Sequence, residues 1–281
     1  MKLGFDLLLW TTHVKDEHWS IVDQLKAAGY DGIEIPMFEG PVSHYEEIGR
    51  RLRDRGLDST GIGVLPAGSC ISPDAAERQK ALDAIKWLVD CTRAIGAKTF
   101  AGPFHQPLGV FSGKGPTADE VKRCAEVHKE AALYAAEAGI TLAVEPLNRF
   151  ECYFLNTIDQ AVALCRAVDE PNYGYLFDTF HTNIEENDVP SLIRSSIGHI
   201  RHVHITENNR GVPGAGHIPF QPIFNALRQS GWDGWLTVEA FGSALPDLAA
   251  ATKIWRPLFN TEADVYEGAI KLMREGWAKA A

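Results

Sequence analysis

Short apolar runs alternate with amphipathic stretches along the whole chain of 281 residues. Each run is short enough for a β-strand, and near-continuous apolarity is typical of parallel strands that are covered on both faces. The stretches between the runs have helical spacing, and a strand–helix repeat implies a parallel sheet. Eight such units predict an α/β fold, a closed (β/α)8 TIM barrel, with residues 1–281 forming a single domain. The apolar runs lie at 3–10, 31–36, 60–65, 97–102, 140–146, 173–178, 200–206 and 234–241.

Residues that favour helix ends lie between these runs. Gly29 is expected to end the helix that follows the first run, because glycine adopts the left-handed conformation of a helix end. Ser72 and Pro73 predict the cap and first turn of a later helix. Thr117, with Glu120 three residues on, predicts a capping box.

Composition argues against two kinds of partner. The chain has 27 basic and 37 acidic residues, a net charge of −10, which argues against a nucleic-acid surface. No apolar run approaches the roughly 18 residues that a membrane span needs. The opening "MKLGFDLLLW" is interrupted by Asp6 and is interpreted as a first strand rather than as a signal peptide. The five cysteines are odd in number and none has C-x-x-C spacing, so a reduced, cytoplasmic compartment is expected.

Four predicted strands in succession carry a metal-competent side chain at or near their carboxyl ends: Glu145, Asp178, His204 and Glu239. Barrel enzymes hold their catalytic residues at this end of the strands. Taken singly, these residues fit ordinary structural roles, such as a salt bridge, a helix cap or a core histidine. Together they favour a site for Mn²⁺, Mg²⁺ or Co²⁺, because three carboxylates and one imidazole suit such cations.

Polar residues follow three of these strand ends. Glu151, His181 and Arg210 come within a few residues of them, in predicted loops above the metal, where polar groups orient a polar ligand. The sequence "RGVPGAG" at 210–216 is a weak candidate for a phosphate-binding loop, because it has no P-loop pattern.

Several motifs, most of them after residue 140, resemble the D-tagatose 3-epimerase and D-psicose (allulose) 3-epimerase family. That family includes L-ribulose 3-epimerases and belongs to the sugar isomerase-type TIM barrels. The string "DTFHTNIEE" is the most specific element of the resemblance. The motifs are "NRFE" (148–151), "DTFHTNIEE" (178–186), "HVHITENNRG" (202–211), "VEAF" (238–241) and "KIWRPL" (253–258).

The resemblance implies roles for individual residues. Phe241 matches an apolar wall of the pocket, and Asp6 stands where many members have an aromatic residue. The loop at 103–109 lacks a tryptophan that some members have, so the ketose that this chain prefers stays open. The implied metal ligands are Glu145, Asp178, His204 and Glu239, and the implied contacts to substrate oxygens near C1 to C3 are Glu151, His181 and Arg210.

The resemblance also implies an activity, the epimerisation of free ketoses at C3. Glu145 and Glu239 would exchange protons on opposite faces of that carbon, with Mn²⁺ expected in preference to Co²⁺ or Mg²⁺. Asp6 would accept hydrogen bonds from distal hydroxyls and repel a phosphate. A homodimer or homotetramer is implied, with no nucleic-acid or membrane partner.

Three other functions stay open at this point. They are a 1,2 aldose–ketose isomerase of the hydroxypyruvate isomerase type, a metal-dependent apurinic nuclease and a non-catalytic sugar-binding protein. The negative net charge argues against the nuclease, and the intact pair of glutamates argues against the sugar-binding protein.

Overall fold

A computed structural model describes residues 1–280. Within these residues, eight strands close into a barrel in chain order, and every neighbouring pair is parallel. The predicted (β/α)8 TIM barrel is therefore confirmed. The strands are β1 (Lys2–Asp6), β2 (Gly32–Pro36), β3 (Asp58–Ile62), β4 (Thr99–Gly102), β5 (Thr141–Val144), β6 (Tyr173–Asp178), β7 (Ile200–Ile205) and β8 (Trp235–Val238).

Helices connect the strands, and the connection after β6 and the chain after β8 each contain two. None of the helices in residues 1–280 combines the length and the apolar character that crossing a membrane requires. The helices are α1 (Trp19–Ala28), α2 (Val42–Asp54), α3 (Ala75–Ile95), α4 (Ala118–Glu137), α5 (Ile158–Val168), α6 (Thr179–Glu185), α7 (Val189–Ser196), α8 (Phe220–Gln229), α9 (Pro246–Thr252) and α10 (Glu262–Lys279).

Two of the predicted helix ends are confirmed and one is wrong. Gly29 ends α1 with a φ of 99°, and Thr117 and Glu120 form the predicted capping box of α4. The helix α3, however, begins after Asp74, whose carboxylate accepts the Ala76 N–H at 2.8 Å. Ser72 instead accepts the N–H of Asp74 at 3.1 Å, so it orders the turn before the cap.

The first apolar run is longer than the strand it contains. The strand β1 stops at Asp6, because the Asp6 carboxylate accepts the Leu8 N–H at 2.9 Å and starts a 3₁₀ turn at Leu7–Leu9. The strands β5 and β8 also stop early, at Val144 and Val238. Glu145 and Glu239 are therefore the first residues beyond their strands, at the rim of the barrel.

The buried apolar side chains form two clusters. The larger cluster packs the strands against the helices. The smaller cluster includes Ile62, Ala101, Ala143 and Leu176 from four consecutive strands, together with Phe241. Ile62 and Phe241 of this cluster also line the cavity described next.

Candidate active site

A cavity of about 200 Å³ opens above the carboxyl ends of the strands. Part of its lining is polar and holds five of the predicted site residues. The remaining lining is mostly apolar and includes Leu8, Phe38, Ile62, Phe241 and Leu248. The five polar site residues are Glu145, Glu151, His181, Arg210 and Glu239.

The structure brings the four predicted metal ligands together. Glu145, Asp178 and His204 are buried, and each offers one ligand atom within 4.8 Å of the others. The Nδ1 atom of His204 lies 3.8 Å from Oδ2 of Asp178 and 3.6 Å from Oε1 of Glu239. Two carboxylates thus face Nδ1 of the imidazole, and the carboxylate of Glu145 lies close to the same group, as the strand spacing predicts.

The imidazole of His204 is oriented by a residue on the opposite side of the ring. Its Nε2 lies 2.6 Å from Oε1 of Glu34, at hydrogen-bond distance. Among residues 1–280, its Nδ1 is buried and has no hydrogen-bond partner. A buried nitrogen without a partner is unfavourable, and this one faces carboxylates. These residues therefore fit a divalent cation, which would take Nδ1 and carboxylate oxygens as ligands.

The charge state of His204 in the metal-free protein fits the same conclusion. Burial opposes a charge on the ring, but the carboxylates of Glu34, Glu239 and Glu145 outweigh burial and raise the pKa of His204 well above its ordinary value. The metal-free site thus retains a positive charge beside its carboxylates. A cation bound at Nδ1 would replace the proton there.

Asp178 carries two roles on its two oxygens. Its Oδ1 accepts the N–H groups of Phe180 and His181 at 2.7 and 2.8 Å and so caps α6. Its Oδ2 accepts the Thr206 hydroxyl at 2.7 Å and faces His204. The helix-cap role and the position of a metal ligand are therefore compatible in one side chain.

Glu145 and Glu239 are both held in conditions that favour their protonated forms. Burial, helped by the nearby carboxylates of Glu239 and Asp178, raises the pKa of Glu145 well above its ordinary value. Burial also raises the pKa of Glu239 to about 7, although Arg210 and His204 act in the opposite direction. A carboxyl group with a pKa of about 7, as at Glu239, can both accept and donate a proton near neutral pH.

Arg210 links the polar groups of the cavity. Its guanidinium is 2.5 Å from Glu239 and 3.2 Å from Glu151, so one cation pairs with two carboxylates. It also lies over the rings of Phe180 and Phe241, at 4.1 and 4.8 Å from their centroids. Its backbone has a φ of 64°, an uncommon conformation for a residue other than glycine. Contacts with two aromatic rings and two ion pairs fix the position of the guanidinium.

His181 presents an N–H group to the cavity. Its Nδ1 accepts the backbone N–H of Asn148 at 2.9 Å, which leaves the ring proton to Nε2. That nitrogen lies 3.3 Å from the guanidinium of Arg210 and 3.6 Å from Oε1 of Glu145. Burial, together with Arg210 and His204, lowers the pKa of His181 well below its ordinary value. The ring is therefore neutral and can donate one hydrogen bond to a ligand oxygen. Asn148 also donates to Glu151 at 2.9 Å, which orients that carboxylate.

The loop 210–216 does not offer its backbone to a phosphate. The carboxylate of Glu207 accepts the N–H groups of Gly214 and Ile218 at 2.8 and 3.2 Å. A Cβ atom at Gly216 would lie 2.4 Å from the same carboxylate, so the loop is packed around it. The phosphate interpretation of "RGVPGAG" is therefore not supported.

Asp6 does not lie where its predicted contact with distal hydroxyls requires. Its side chain is only 1% exposed, and the cavity wall, as formed by residues 1–280, does not include it. Burial, together with Glu34 and Glu239, raises the pKa of Asp6 well above its ordinary value. The 3₁₀ turn that Asp6 starts draws its Oδ1 toward Leu8, and Leu8 lines the cavity instead. We therefore correct this prediction. The loop 103–109 does reach the wall, through Pro103 and Leu108.

Sequence reasoning missed a layer of polar residues below the cavity. Glu34 in β2 is fully buried and lies beside His202 and His204 of β7, and it accepts the hydroxyl of Thr60 in β3 at 2.7 Å. A glutamate in the middle of the apolar run "DGIEIP" was the available signal, because a buried charge needs partners.

This fold and this site define a TIM-barrel enzyme with a candidate metal centre at the carboxyl end of its strands. The chain belongs to the xylose isomerase-like TIM barrel family, whose sequence model matches residues 22–276. The resemblance found in the motifs is thereby confirmed.

Similar proteins are carbohydrate epimerases, a class of isomerases, and the chain belongs with them. The ketose 3-epimerase of Arthrobacter globiformis is 33% identical over 264 residues, covering 92% of this chain and 91% of that protein. A solved L-ribulose 3-epimerase is 31% identical with a TM-score of 0.90, covering 99% of this chain and 94% of the other. A D-allulose 3-epimerase from Methylomonas sp., solved in complex with D-allulose, is 27% identical with a TM-score of 0.89, covering 98% and 96%.

Proposed function

We propose that this protein is a metal-dependent ketose 3-epimerase that acts on free ketoses. One observation carries the proposal. Glu145 and Glu239 both line the cavity, and they rise from β5 and β8, three strands apart around the barrel. Two carboxyl groups that line one cavity from well-separated strands suit proton exchange on opposite faces of one carbon.

The proposed metal ligands are Glu145, Asp178, His204 and Glu239. Three carboxylates with one imidazole favour Mn²⁺, with Co²⁺ or Mg²⁺ as alternatives. When bound, the cation would polarise the C2 carbonyl of the ketose and stabilise the negative charge that develops after C3 loses its proton.

The two glutamates carry out the proton transfers. One carboxylate removes the proton from C3, and the other carboxyl group gives a proton back on the opposite face. The roles exchange when the reaction runs in reverse. The pKa of Glu239, raised to about 7 by burial in the metal-free protein, supports this two-way use.

The remaining predicted residues hold the substrate. His181 would donate its Nε2–H to a ketose oxygen, and Arg210 and Glu151 would contact the O1 end as a prearranged ion pair. Phe241 forms an apolar wall beside the guanidinium. Because these groups are fixed by their neighbours before a ligand arrives, little ordering is needed when the substrate binds.

A free ketose suits this cavity better than a phosphorylated one. Among the residues of the described chain that line it, Arg210 is the one cation, and Glu239 and Glu151 already neutralise it. A phosphate would need positive groups or free backbone N–H groups. The N–H of Gly214 in the loop at 210–216 and the N–H of Ile218 just after it are already hydrogen-bonded to Glu207.

We further propose a single-domain subunit spanning residues 1–281, a homodimer or homotetramer, and a cytoplasmic location. Phe150 and Trp255, 73% and 72% exposed, support an interface between copies, because large exposed apolar side chains favour burial. Within residues 1–280 the five cysteines are free and buried, as in a reducing compartment. The net charge of −10 supports the absence of a nucleic-acid partner.

Deuterium labelling tests the reaction directly. The Mn²⁺-loaded protein is incubated with ketohexoses and ketopentoses in D₂O, and the sugars are analysed by NMR. An epimerase places deuterium at C3 of both epimers and essentially none at C1. Deuterium at C1 with formation of an aldose would show a 1,2-isomerase and would contradict the proposal. Metal-free protein with a chelator is the control and should leave the sugar unlabelled.

A further inference from the structure

Glu34 is a fully buried carboxylate that no step of the proposed reaction uses. It lies in the middle of β2, and its partners lie on two other strands. Its Oε1 is 2.6 Å from Nε2 of His204, and its Oε2 is 2.8 Å from Nε2 of His202. The hydroxyl of Thr60 donates to Oε2 at 2.7 Å. Both oxygens therefore have partners, which is what a buried carboxylate requires.

The contact with His204 determines which side of that ring faces the proposed metal site. A carboxylate can only accept, so the Nε2 of His204 must carry the proton of this hydrogen bond. The other ring nitrogen, Nδ1, then points at Asp178 and Glu239, at 3.8 and 3.6 Å. The sequence separation of 170 residues between Glu34 and His204 means that only the closed barrel creates this contact.

We propose that Glu34 is a positioning residue that fixes the ring orientation of His204, keeping the proton on Nε2 so that Nδ1 can bind the cation. This inference rests on the proposed function, in which His204 is a metal ligand. Hydrogen-bond acceptors behind a metal-binding histidine commonly change metal affinity by 10- to 100-fold when they are lost.

A second cation bound by Glu34, His202 and His204 is the competing interpretation, because their ligand atoms also lie within 4.8 Å of one another. The 2.6 Å contact between Nε2 of His204 and Oε1 of Glu34 is a hydrogen bond of ordinary length, so this nitrogen already has a partner. Nε2 of His202 lies 2.8 Å from Oε2 of Glu34 but does not form a hydrogen bond with it. His204 would also have to bind a cation through each nitrogen. The geometry therefore favours one cation, on the Nδ1 side.

Two substitutions at position 34 test the role. Glu34→Leu removes both acceptor oxygens at similar volume, and Glu34→Gln keeps one neutral acceptor oxygen. Isothermal titration with Mn²⁺ should show about 10- to 100-fold weaker binding for the leucine variant, and a smaller loss for the glutamine variant. Thr60→Val is the matched control, because it removes a hydrogen bond to the same carboxylate but leaves the acceptor of His204 in place. Its Mn²⁺ affinity should stay within about threefold of wild type.

A spectroscopic readout separates positioning from a general loss of structure. In ¹⁵N-labelled, Mg²⁺-loaded protein, the Nε2–H proton of His204 should give a downfield signal that exchanges slowly with water. The signal should persist in Thr60→Val and shift or disappear in Glu34→Leu. If Glu34→Leu does not fold, the Mn²⁺ titration and the NMR measurement are made on Glu34→Gln. Its amide can offer an oxygen to only one of the two imidazoles.

Three outcomes separate this inference from the proposed function. Unchanged Mn²⁺ affinity and an unchanged Nε2–H signal in folded Glu34 variants would overturn the positioning role alone. Two Mn²⁺ ions per wild-type chain, one of them lost in the Glu34 variants, would overturn it in favour of a second metal site. Absence of any divalent-cation binding by the wild-type protein would instead refute the proposed function.

Discussion

Substituting Asp178 by asparagine should remove the metal response of the protein while leaving the barrel folded. The two oxygens of this side chain make different contacts. Its Oδ1 caps α6 by accepting two backbone N–H groups, and its Oδ2 faces His204. An asparagine can keep its carbonyl oxygen at the cap, which places its NH₂ group where Oδ2 was. An NH₂ group cannot bind a cation.

The expected magnitudes follow from this division. Asparagine and aspartate are equivalent helix caps, whereas loss of a cap costs about 1 kcal/mol. The metal-free variant should therefore unfold within about 1 kcal/mol of the metal-free wild type. Binding at a cation concentration 1,000-fold above Kd stabilises a folded protein by about 4 kcal/mol. At roughly 2–4 °C per kcal/mol for a large domain, the wild type should gain about 8–16 °C in Tm.

The assay is thermal unfolding, followed by circular dichroism, with a chelator and with saturating Mn²⁺. Asp178→Asn should show a Tm shift well below that of the wild type, by at least about 5 °C. Asp178→Ala is the comparison variant, because it loses both the ligand and the cap and should be less stable without metal. An Asp178→Asn protein with the full wild-type shift would refute the assignment of Asp178 as a ligand. A metal-free variant that does not fold would refute the assignment of the helix cap to Oδ1 and of the ligand role to Oδ2.

Three further predictions concern the reaction and its cofactor. Replacing Glu145 or Glu239 by glutamine should reduce turnover in both directions by about 10²–10⁴-fold, and near wild-type turnover in either variant would contradict the two-base scheme. Because burial raises the pKa of Glu239 to about 7, its carboxyl group takes up a proton as pH falls below that value. That proton competes with the cation, so titration calorimetry should show Mn²⁺ affinity falling by up to about tenfold per pH unit below pH 7, whereas constant affinity between pH 5.5 and 7.5 would contradict it. Steady-state kinetics should give a higher kcat/KM for a free ketose than for its phosphate, because Arg210 is already paired; the reverse order would contradict this prediction.

The barrel could be predicted from the sequence because its signals are local. Each strand and each helix has its own periodicity, and eight repeats of one unit leave few other topologies. The ends of elements were less certain, since Ser72 and Asp74 are both good caps and only the backbone conformation chooses between them. The candidate metal ligands could be predicted because the parallel strands of a barrel bring their carboxyl ends to one face.

What the sequence could not show depends on contacts between distant strands. Glu34 is a charge within an apolar run, but nothing nearby in the sequence indicates that it meets His204. Asp6 was misplaced because of a local turn rather than a distant contact. Asp6 ends β1 within the first apolar run, and the 3₁₀ turn that it caps brings Leu8, not Asp6, to the cavity wall. The direction of a side chain at a strand end is determined by a turn that apolar periodicity does not describe.

The electrostatics of the site support the proposal that one pair of glutamates serves both as ligands and as proton carriers. Burial close to other carboxylates raises the pKa of Glu145 and Glu239, so the metal-free site favours protons on them. A divalent cation offers the same compensation for buried negative charge, and it binds only as those protons leave. The burial that makes the site favourable for a cation therefore also raises the pKa of both carboxyl groups, to about 7 at Glu239. Arg210 limits this effect at Glu239, because its guanidinium pairs with that carboxylate at 2.5 Å and lowers its pKa. The two glutamates are thus unequal before any substrate binds, because Arg210 forms its ion pair with Glu239.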